Sequence, residues 1–182
     1  NDYMNGELSN STITSSTTNP IQFHQFSYCG ITNNFEVKNN IINNYGNVYT
    51  IALASSIRGI RFINNTVNNT GTSYAFFQGA GGNGGGTVYN LTNNTFISTN
   101  GEGVYVESGD STTTIIGNTI YTSGSANYEG LILAAANKYV LRNNIITSSG
   151  RAIYDYMTST SRPNIIIIND SYINATSNAD IY

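Results

Sequence analysis

Residues 60–67 read Ile60-Arg61-Phe62-Ile63-Asn64-Asn65-Thr66-Val67. Apolar residues alternate with other residues up to a pair of asparagines, and a threonine and an apolar residue follow the pair. Alternation with a period of two predicts a β-strand with one buried face, in which Ile60 and Phe62 point inward. Arg61 and Ile63 then point outward, and we expect the asparagine pair to lie at the corner where the strand ends.

The same unit recurs along the chain, which is the pattern of a repeat protein. Further copies begin at Phe35, Tyr89, Thr113, Tyr139 and Ile165, and a weaker first copy ends at Ile13. The first residues of the pairs stand at positions 10, 39, 64, 93, 117, 143 and 169, so the spacings are 29, 25, 29, 24, 26 and 26 residues. A segment of about 25 residues cannot bury a sheet face alone, but it closes one coil of a solenoid whose neighbours cover it. The repeat therefore predicts an all-β parallel solenoid of about seven coils.

A second strand recurs ten to thirteen residues after each pair, for example at 48–51, 104–107 and 131–133. Because coils stack at the strand spacing of about 4.8 Å, equivalent residues are expected to form columns along the axis. The first asparagine of each pair is predicted to face inward, so that the side-chain amides form a hydrogen-bonded ladder. The predicted ladder residues are Asn10, Asn39, Asn64, Asn93, Asn143 and Asn169.

This apolar-x-Asn-Asn-Thr-apolar unit, repeated over nearly the whole chain, resembles the parallel β-helix repeat of the pectate-lyase-like superfamily. The resemblance implies a right-handed, single-stranded parallel β-helix forming one domain over residues 1–182. The Asn-, Thr- and Tyr-rich, charge-poor style is most similar to adhesin-like surface proteins, which implies an extracellular or cell-surface scaffold that recognises carbohydrate or protein. The alternative is a carbohydrate-active enzyme, either a polysaccharide lyase or a glycoside hydrolase, or a fragment of a phage tailspike, because the superfamily includes these too.

Composition narrows the range of partners. The seven Lys and Arg residues are scattered and the net charge is −3, so no basic stripe is present and no nucleic-acid partner is expected. No run of 18 apolar residues occurs, and no transmembrane segment is expected. The single cysteine, Cys29, has no neighbouring His or Cys set, so we expect no metal site, and we expect no cofactor.

Charged residues cluster on or beside the second strands of consecutive coils. Glu107, Glu129, Arg151 and Asp155 are expected to lie one or two coil spacings apart. Paired carboxylates are what a glycosidase needs, so these four residues are the candidate catalytic group if the chain is an enzyme. Scattered solvating charges account for the same cluster, and an enzyme is the less favoured interpretation.

Three tyrosines occupy similar places in the second strands. Tyr49, Tyr105 and Tyr154 are expected to form an exposed aromatic column that stacks sugar rings or contacts a protein partner. Aromatic filling of a polar sheet surface is the alternative interpretation.

Several outward positions of the first strands are apolar, and exposed apolar area usually marks contact. This pattern predicts that the face packs against another domain, a second copy of the chain or a returning segment. An error of one residue in the phase of the Ile165–Ile168 run is the alternative. Because both ends of the repeat array lack an amphipathic cap, we also expect a fragment or a unit that assembles end to end. The predicted interface residues are Ile63, Ile116, Val140, Ile166 and Ile168.

Overall fold

The computed structural model describes residues 5–23, 34–53, 60–79, 90–107, 112–134, 138–156 and 165–177. Within these ranges the regular structure consists of β-strands, and no helix is long and apolar enough to cross a membrane. Cys29 lies outside the described residues. The strands are β1 (Asn5–Ser9), β2 (Thr12–Ser15), β3 (Ile21–Phe23), β4 (Asn34–Lys38), β5 (Ile41–Asn44), β6 (Ile51–Leu53), β7 (Ile60–Ile63), β8 (Thr66–Asn69), β9 (Phe76–Gln78), β10 (Asn90–Thr92), β11 (Thr95–Ser98), β12 (Val104–Glu107), β13 (Thr112–Ile116), β14 (Thr119–Thr122), β15 (Leu131–Ala134), β16 (Lys138–Arg142), β17 (Ile145–Ser148), β18 (Ile153–Tyr156), β19 (Ile165–Asn169) and β20 (Tyr172–Ala175).

Every third strand belongs to the same sheet. The first sheet has the order β1-β4-β7-β10-β13-β16-β19, the second has the order β2-β5-β8-β11-β14-β17-β20, and the third runs β3-β6-β9-β12-β15-β18. The registered strand pairs in all three sheets are parallel, as in Glu36 opposite Arg61 in the first sheet and Ile42 opposite Val67 in the second. A chain that returns to each sheet once per repeat with parallel strands is a β-solenoid, so the predicted fold class is confirmed.

The hydrophobic core runs along the axis between the three sheets, because each strand turns alternate side chains inward. Phe76 joins the sheets, since its ring makes edge contacts with Phe62 of the first sheet and Phe96 of the second at centroid distances of 5.1 and 5.9 Å. Ile60 and Phe62 are fully buried and Arg61 is exposed, as the alternation in β7 predicts. Each sheet contributes one column of inward apolar residues that runs through five coils: Val37-Phe62-Leu91-Ile115-Leu141, Ile42-Val67-Phe96-Ile120-Ile146 and Ile51-Phe76-Val104-Leu131-Ile153.

A buried asparagine ladder is present, but it is formed by the second residue of each pair and not by the first. Asn65 Nδ2 donates to Asn94 Oδ1 over 3.0 Å, and Asn94 Nδ2 donates to Asn118 Oδ1 over 3.1 Å. Each of these oxygens also accepts a backbone N–H from the previous coil, and Asn94 Nδ2 donates its other hydrogen to the Phe62 carbonyl. The amides are therefore satisfied although they are buried. The ladder residues are Asn40, Asn65, Asn94, Asn118 and Asn144.

The first residue of each pair has a different structural role, which is to form the turn between two sheets. Asn64 and Asn93 have φ values of 55° and 54°, in the left-handed region that asparagine tolerates better than most residues. This backbone conformation turns the chain sharply from the first sheet to the second, and it directs the side chain to solvent. The prediction of an inward ladder at the first positions is therefore wrong, because all six of the residues it named are exposed: Asn10, Asn39, Asn64, Asn93, Asn143 and Asn169.

The last repeat is shifted by one residue from the predicted phase. Asn143 corresponds to Asp170, whose φ is 48°, and Arg142 is in register with Asn169. Ile166 and Ile168 are in register with the buried Tyr139 and Leu141 and pack against the core. Their assignment to an exposed interface is wrong, and the alternative of a phase error within the Ile165–Ile168 run is correct.

A second polar column lies inside the solenoid, at the end of the second sheet. Asn44 Nδ2 donates to Asn69 Oδ1 over 3.2 Å, and Asn69 Nδ2 donates to Ser98 Oγ over 3.0 Å. Further along the axis, the hydroxyl oxygens of Thr122 and Ser148 lie 2.7 Å apart. Polar columns therefore flank the apolar column of the second sheet on both sides.

Candidate functional site

A pocket of about 400 Å³ opens on the outer face of the third sheet. This volume is in the range of small-molecule sites, and most of the lining side chains are aromatic. No lysine or arginine of the described residues is among those that line it. The lining residues are Tyr49, Tyr74, Phe77, Glu102, Tyr105, Glu129, Ile132, Tyr154 and Tyr156.

Two neighbouring columns of side chains provide most of the lining. The strand column consists of the outward residues of the third sheet, which the parallel register places one above the other: Ala52, Phe77, Tyr105, Ile132 and Tyr154. The corner column stands two residues before the first inward residue of each of these strands. Backbone hydrogen bonds between successive coils align its members, which are Tyr49, Tyr74, Glu102, Glu129 and Arg151.

The aromatic rings at one end of the pocket stack along the solenoid axis. Tyr49 lies parallel to Phe77 with ring centroids 4.4 Å apart and an interplanar angle of 8°. Phe77 in turn stacks on Tyr105 at 4.9 Å and 21°, and Tyr74 meets Tyr105 edge-on at 5.6 Å. Such contacts fix the ring positions, so this wall of the pocket is ordered before any ligand arrives.

Two carboxyl groups lie side by side along the corner column. Glu102 Oε2 accepts a hydrogen bond from the backbone N–H of Glu129, and the two carboxyl groups are hydrogen-bonded to each other. Burial and the neighbouring Glu129 carboxyl raise the pKa of Glu102 from its ordinary value of 4.5 to about 8. The Glu102 carboxyl therefore keeps its proton near neutral pH, because burial and the adjacent carboxyl disfavour its charged form.

Arg151 completes the corner column behind these carboxyls. Its guanidinium Nη2 lies 3.0 Å from Oε1 of the buried Glu129. Its Cζ atom also stands 4.0 Å from the centre of the Tyr154 ring, which is a cation–π contact. The charge of Arg151 is thus engaged by two residues that line the pocket.

The hydroxyl groups of Tyr74 and Tyr105 stay protonated. Desolvation by burial raises the pKa of Tyr74 to about 12. Burial and the Glu107 carboxylate raise the pKa of Tyr105 even further, and its hydroxyl donates to Glu107 Oε2 over 3.3 Å. Both phenols therefore remain hydrogen-bond donors across the physiological pH range.

The structure brings the three predicted tyrosines to one pocket but not to one column. Tyr105 and Tyr154 share the strand column, with Ile132 between them. Tyr49 belongs to the corner column and reaches the others through Phe77. Ligand binding by these residues stays a prediction.

The structure does not bring the four charged residues of the candidate catalytic group together at one site. Glu129 lines the pocket, Arg151 pairs with it and Glu107 accepts from Tyr105. Asp155 is in register with the buried Leu133, so its Cβ lies on the opposite side of β18 from the pocket.

Several lining residues were not singled out by sequence reasoning, namely Tyr74, Phe77, Glu102, Ile132 and Tyr156. The corner column can be found in the sequence. Its members lie two residues before the first inward residue of each strand of the third sheet, which is the second strand of the sequence prediction. The number of residues between each asparagine pair and the following strand of the third sheet differs from coil to coil. Residues at equal distances from the pairs therefore do not fall in the same column.

The remaining outward apolar residues of the first sheet are separated by polar ones. Ile63 and Ile116 share a column with Thr92 between them, and Val140 lies in the neighbouring column opposite Thr114. All three are partly exposed. An interface through Ile63, Ile116 and Val140 stays a prediction.

In the described part of the chain, no group of three or more His, Cys, Asp and Glu side chains is arranged to hold a metal ion. Comparison with protein-family models, with curated proteins and with solved structures finds no match to this chain.

Proposed function

We propose that the chain is an extracellular, adhesin-like scaffold that presents the pocket on its third sheet for carbohydrate recognition. The observation that carries the proposal is the lining of that pocket, where ordered aromatic rings lie beside a pair of carboxyl groups. Aromatic faces pack on the apolar faces of sugar rings, and carboxyl groups exchange hydrogen bonds with hydroxyls. The resemblance of the repeat to the pectate-lyase-like superfamily and to adhesin-like surface proteins supports the same role and the cell-surface location.

A solenoid suits this role for a physical reason. The buried ladders tie each coil to the next, so the third sheet is a rigid base from which side chains project at regular intervals. A binding site whose side chains are held in place before binding loses less conformational entropy when the ligand arrives.

The experiment is a glycan array probed with the labelled chain and with Tyr105→Ala. We expect binding to a defined group of glycans, with a loss of about tenfold or more in the variant, because Tyr105 is the last ring of the stack and lines the pocket. Tyr45→Ala is the matched control, since Tyr45 is 61% exposed and does not line the pocket. Absence of glycan binding, or equal binding by the Tyr105 variant, contradicts the proposal.

An enzyme is the second candidate, and one observation favours it. A carboxyl group that stays protonated near neutral pH, as Glu102 does, is what a general acid requires. The two carboxyls are hydrogen-bonded to each other, however, whereas glycosidases hold theirs at least about 5 Å apart so that the scissile bond fits between them. Incubation with acidic and neutral polysaccharides, read for new reducing ends and unsaturated products, distinguishes the two functions, because a pure binding protein yields no products.

A further inference from the structure

The row of aromatic rings in the strand column is interrupted at one coil. Phe77 and Tyr105 stack on each other, and Tyr154 resumes the column two strands further on. The residue between them is Ile132, which lines the pocket and carries no ring. Two strand spacings, roughly 9.6 Å, therefore separate the coil of Tyr105 from the coil of Tyr154.

The face of Tyr105 that borders this interruption is directed along the axis. Its other face is occupied, because Phe77 stacks on it from the preceding coil at 4.9 Å. A six-membered ring whose apolar face packs on Tyr105 above Ile132 continues the stack at the spacing that the protein's own rings use. Such a ring would rest on Tyr105 and on the small accessible part of Ile132, which is 5% exposed.

Hydrogen-bonding groups stand at the edge of this place. Glu102 belongs to the coil of Tyr105 and Glu129 belongs to the coil of Ile132, so their carboxyl groups flank the interruption on the corner side. The carboxyl oxygens that are not used between the two residues accept hydrogen bonds. Adjacent hydroxyl groups of a sugar ring donate such bonds, whereas a purely aromatic or aliphatic ring does not.

The charges around the pocket decide which sugars fit. The nearest described cation, Arg151, is engaged by Glu129 at 3.0 Å and by the Tyr154 ring. A ligand carboxylate would meet the Glu102–Glu129 pair and, near Tyr105, the side chain of Glu107, without a lysine or arginine among the lining residues to compensate it. Burying an uncompensated anion beside carboxyl groups is costly.

We propose that the pocket binds a single uncharged pyranose unit of a neutral polysaccharide, packed on Tyr105 above Ile132 with its hydroxyls on Glu102 and Glu129. This inference rests on the proposed function and names its ligand class. A sugar that carries a carboxylate is disfavoured by charge, and a protein side chain lacks adjacent hydroxyl groups that donate to the two carboxyl groups.

The experiment is titration calorimetry with neutral hexasaccharides of glucose and of mannose, compared with a hexamer of galacturonic acid and an aromatic-rich peptide. Because the chain contains no tryptophan and 14 tyrosines, tyrosine fluorescence is a second readout. We expect at least one neutral hexasaccharide to bind about tenfold or more tightly than the galacturonate hexamer and the peptide. Ile132→Tyr fills the interruption with the residue type of its neighbours, and we expect it to abolish this binding without loss of thermal stability.

Ile145→Tyr is the matched control, because Ile145 is an outward residue of the second sheet and is 50% exposed. A second variant, Glu129→Gln, keeps the shape of the site and releases Arg151. We expect it to raise the affinity for the galacturonate hexamer about tenfold or more, which a structural role alone would not produce.

Three results would overturn the inference, and they differ in what they leave standing. Galacturonate that binds as tightly as the neutral sugars, with binding lost in Ile132→Tyr, refutes the ligand class but retains carbohydrate recognition at the pocket. Neutral binding that is unchanged in folded Ile132→Tyr refutes the position of the ring. Binding of the peptide alone, with no hexasaccharide bound, refutes the proposed function itself.

Discussion

Oε2 of Glu102 accepts the backbone N–H of Glu129, its neighbour in the next coil of the corner column. The contact joins residues that are 27 positions apart in the sequence. It holds one carboxyl group against another at the edge of the aromatic pocket. The raised pKa of Glu102 makes the stability of the fold depend on pH.

The pKa of Glu102 is about 8 in the folded chain, above its ordinary value of 4.5. Between these two pH values the folded chain holds a proton that the unfolded chain has released, so stability falls as pH rises through this window. The contribution is fully present below the ordinary value and is lost above the folded value. Glu102→Gln mimics the protonated form, so we expect it to gain stability relative to the natural chain as the pH rises from 4.5 to 8, with no further gain above 8. Melting temperatures measured across the window check this expectation.

Glu7 provides a control of opposite sign. The Lys38 ammonium lies 2.6 Å from Glu7 Oε2 and lowers the pKa of this carboxyl below 4.5. Its contribution is therefore present at neutral pH and is lost as the pH falls. We expect Glu7→Gln to lower stability at neutral pH and to remove this part of the acidic slope, while the slope between pH 4.5 and 8 stays the same. If the melting temperatures of the natural chain and of Glu102→Gln change equally between pH 4.5 and 8, the raised pKa of Glu102 is refuted.

The buried ladder is expected to dominate the effect of substitutions at the asparagine pairs. Asn94→Ala removes the partners of the Asn65 N–H, the Asn65 side-chain amide and the Phe62 carbonyl, all of them buried. We expect the free energy of unfolding to fall by roughly 3 kcal/mol or more, because each unsatisfied buried group costs about 1–3 kcal/mol. Urea denaturation measures the loss. The exposed Asn127→Ala is the control, and an equal effect of the two substitutions would contradict the ladder.

The first residue of the pair is expected to respond to backbone conformation alone. Asn93 is exposed and has a φ of 54°. Alanine in this conformation costs about 1 kcal/mol, whereas glycine adopts it freely, so Asn93→Ala should lower the urea midpoint more than Asn93→Gly. The chain itself uses glycine at the equivalent Gly117, where φ is 68°. A larger loss for glycine than for alanine would show that the side chain matters instead.

The shifted phase of the last repeat predicts opposite sensitivities for neighbouring isoleucines. Ile168 packs against the core, whereas Ile167 is in register with the outward Val140. We expect Ile168→Ser to lower the free energy of unfolding by about 1–3 kcal/mol and Ile167→Ser to have a smaller effect. Urea denaturation measures both losses. If Ile167→Ser destabilises the chain more than Ile168→Ser does, the strand phase predicted from the sequence is the correct one.

Much of the fold follows from local pattern. Alternation in β7 predicts that Ile60 and Phe62 are buried, and the repeated asparagine pair predicts stacked coils with an amide ladder. Local pattern fails where inward and outward positions are occupied by the same type of residue. Two adjacent asparagines do not reveal which is buried, and the four isoleucines of Ile165–Ile168 do not alternate with polar residues.

The site is harder to predict for the same reason. Glu102 and Glu129 come together only because turns of different lengths bring their strands into register, which sequence spacing from the pairs does not show. The interruption at Ile132 likewise has meaning only beside Tyr105 and Tyr154 of the neighbouring coils.

The sequence by itself determined that this chain winds into a parallel β-solenoid, because alternation and period act within one repeat and recur in each. The tertiary structure decided which asparagines are buried, which isoleucines face the core and which carboxyl groups lie side by side. These outcomes depend on register between coils, where a shift of one residue exchanges the inner and outer faces of a strand.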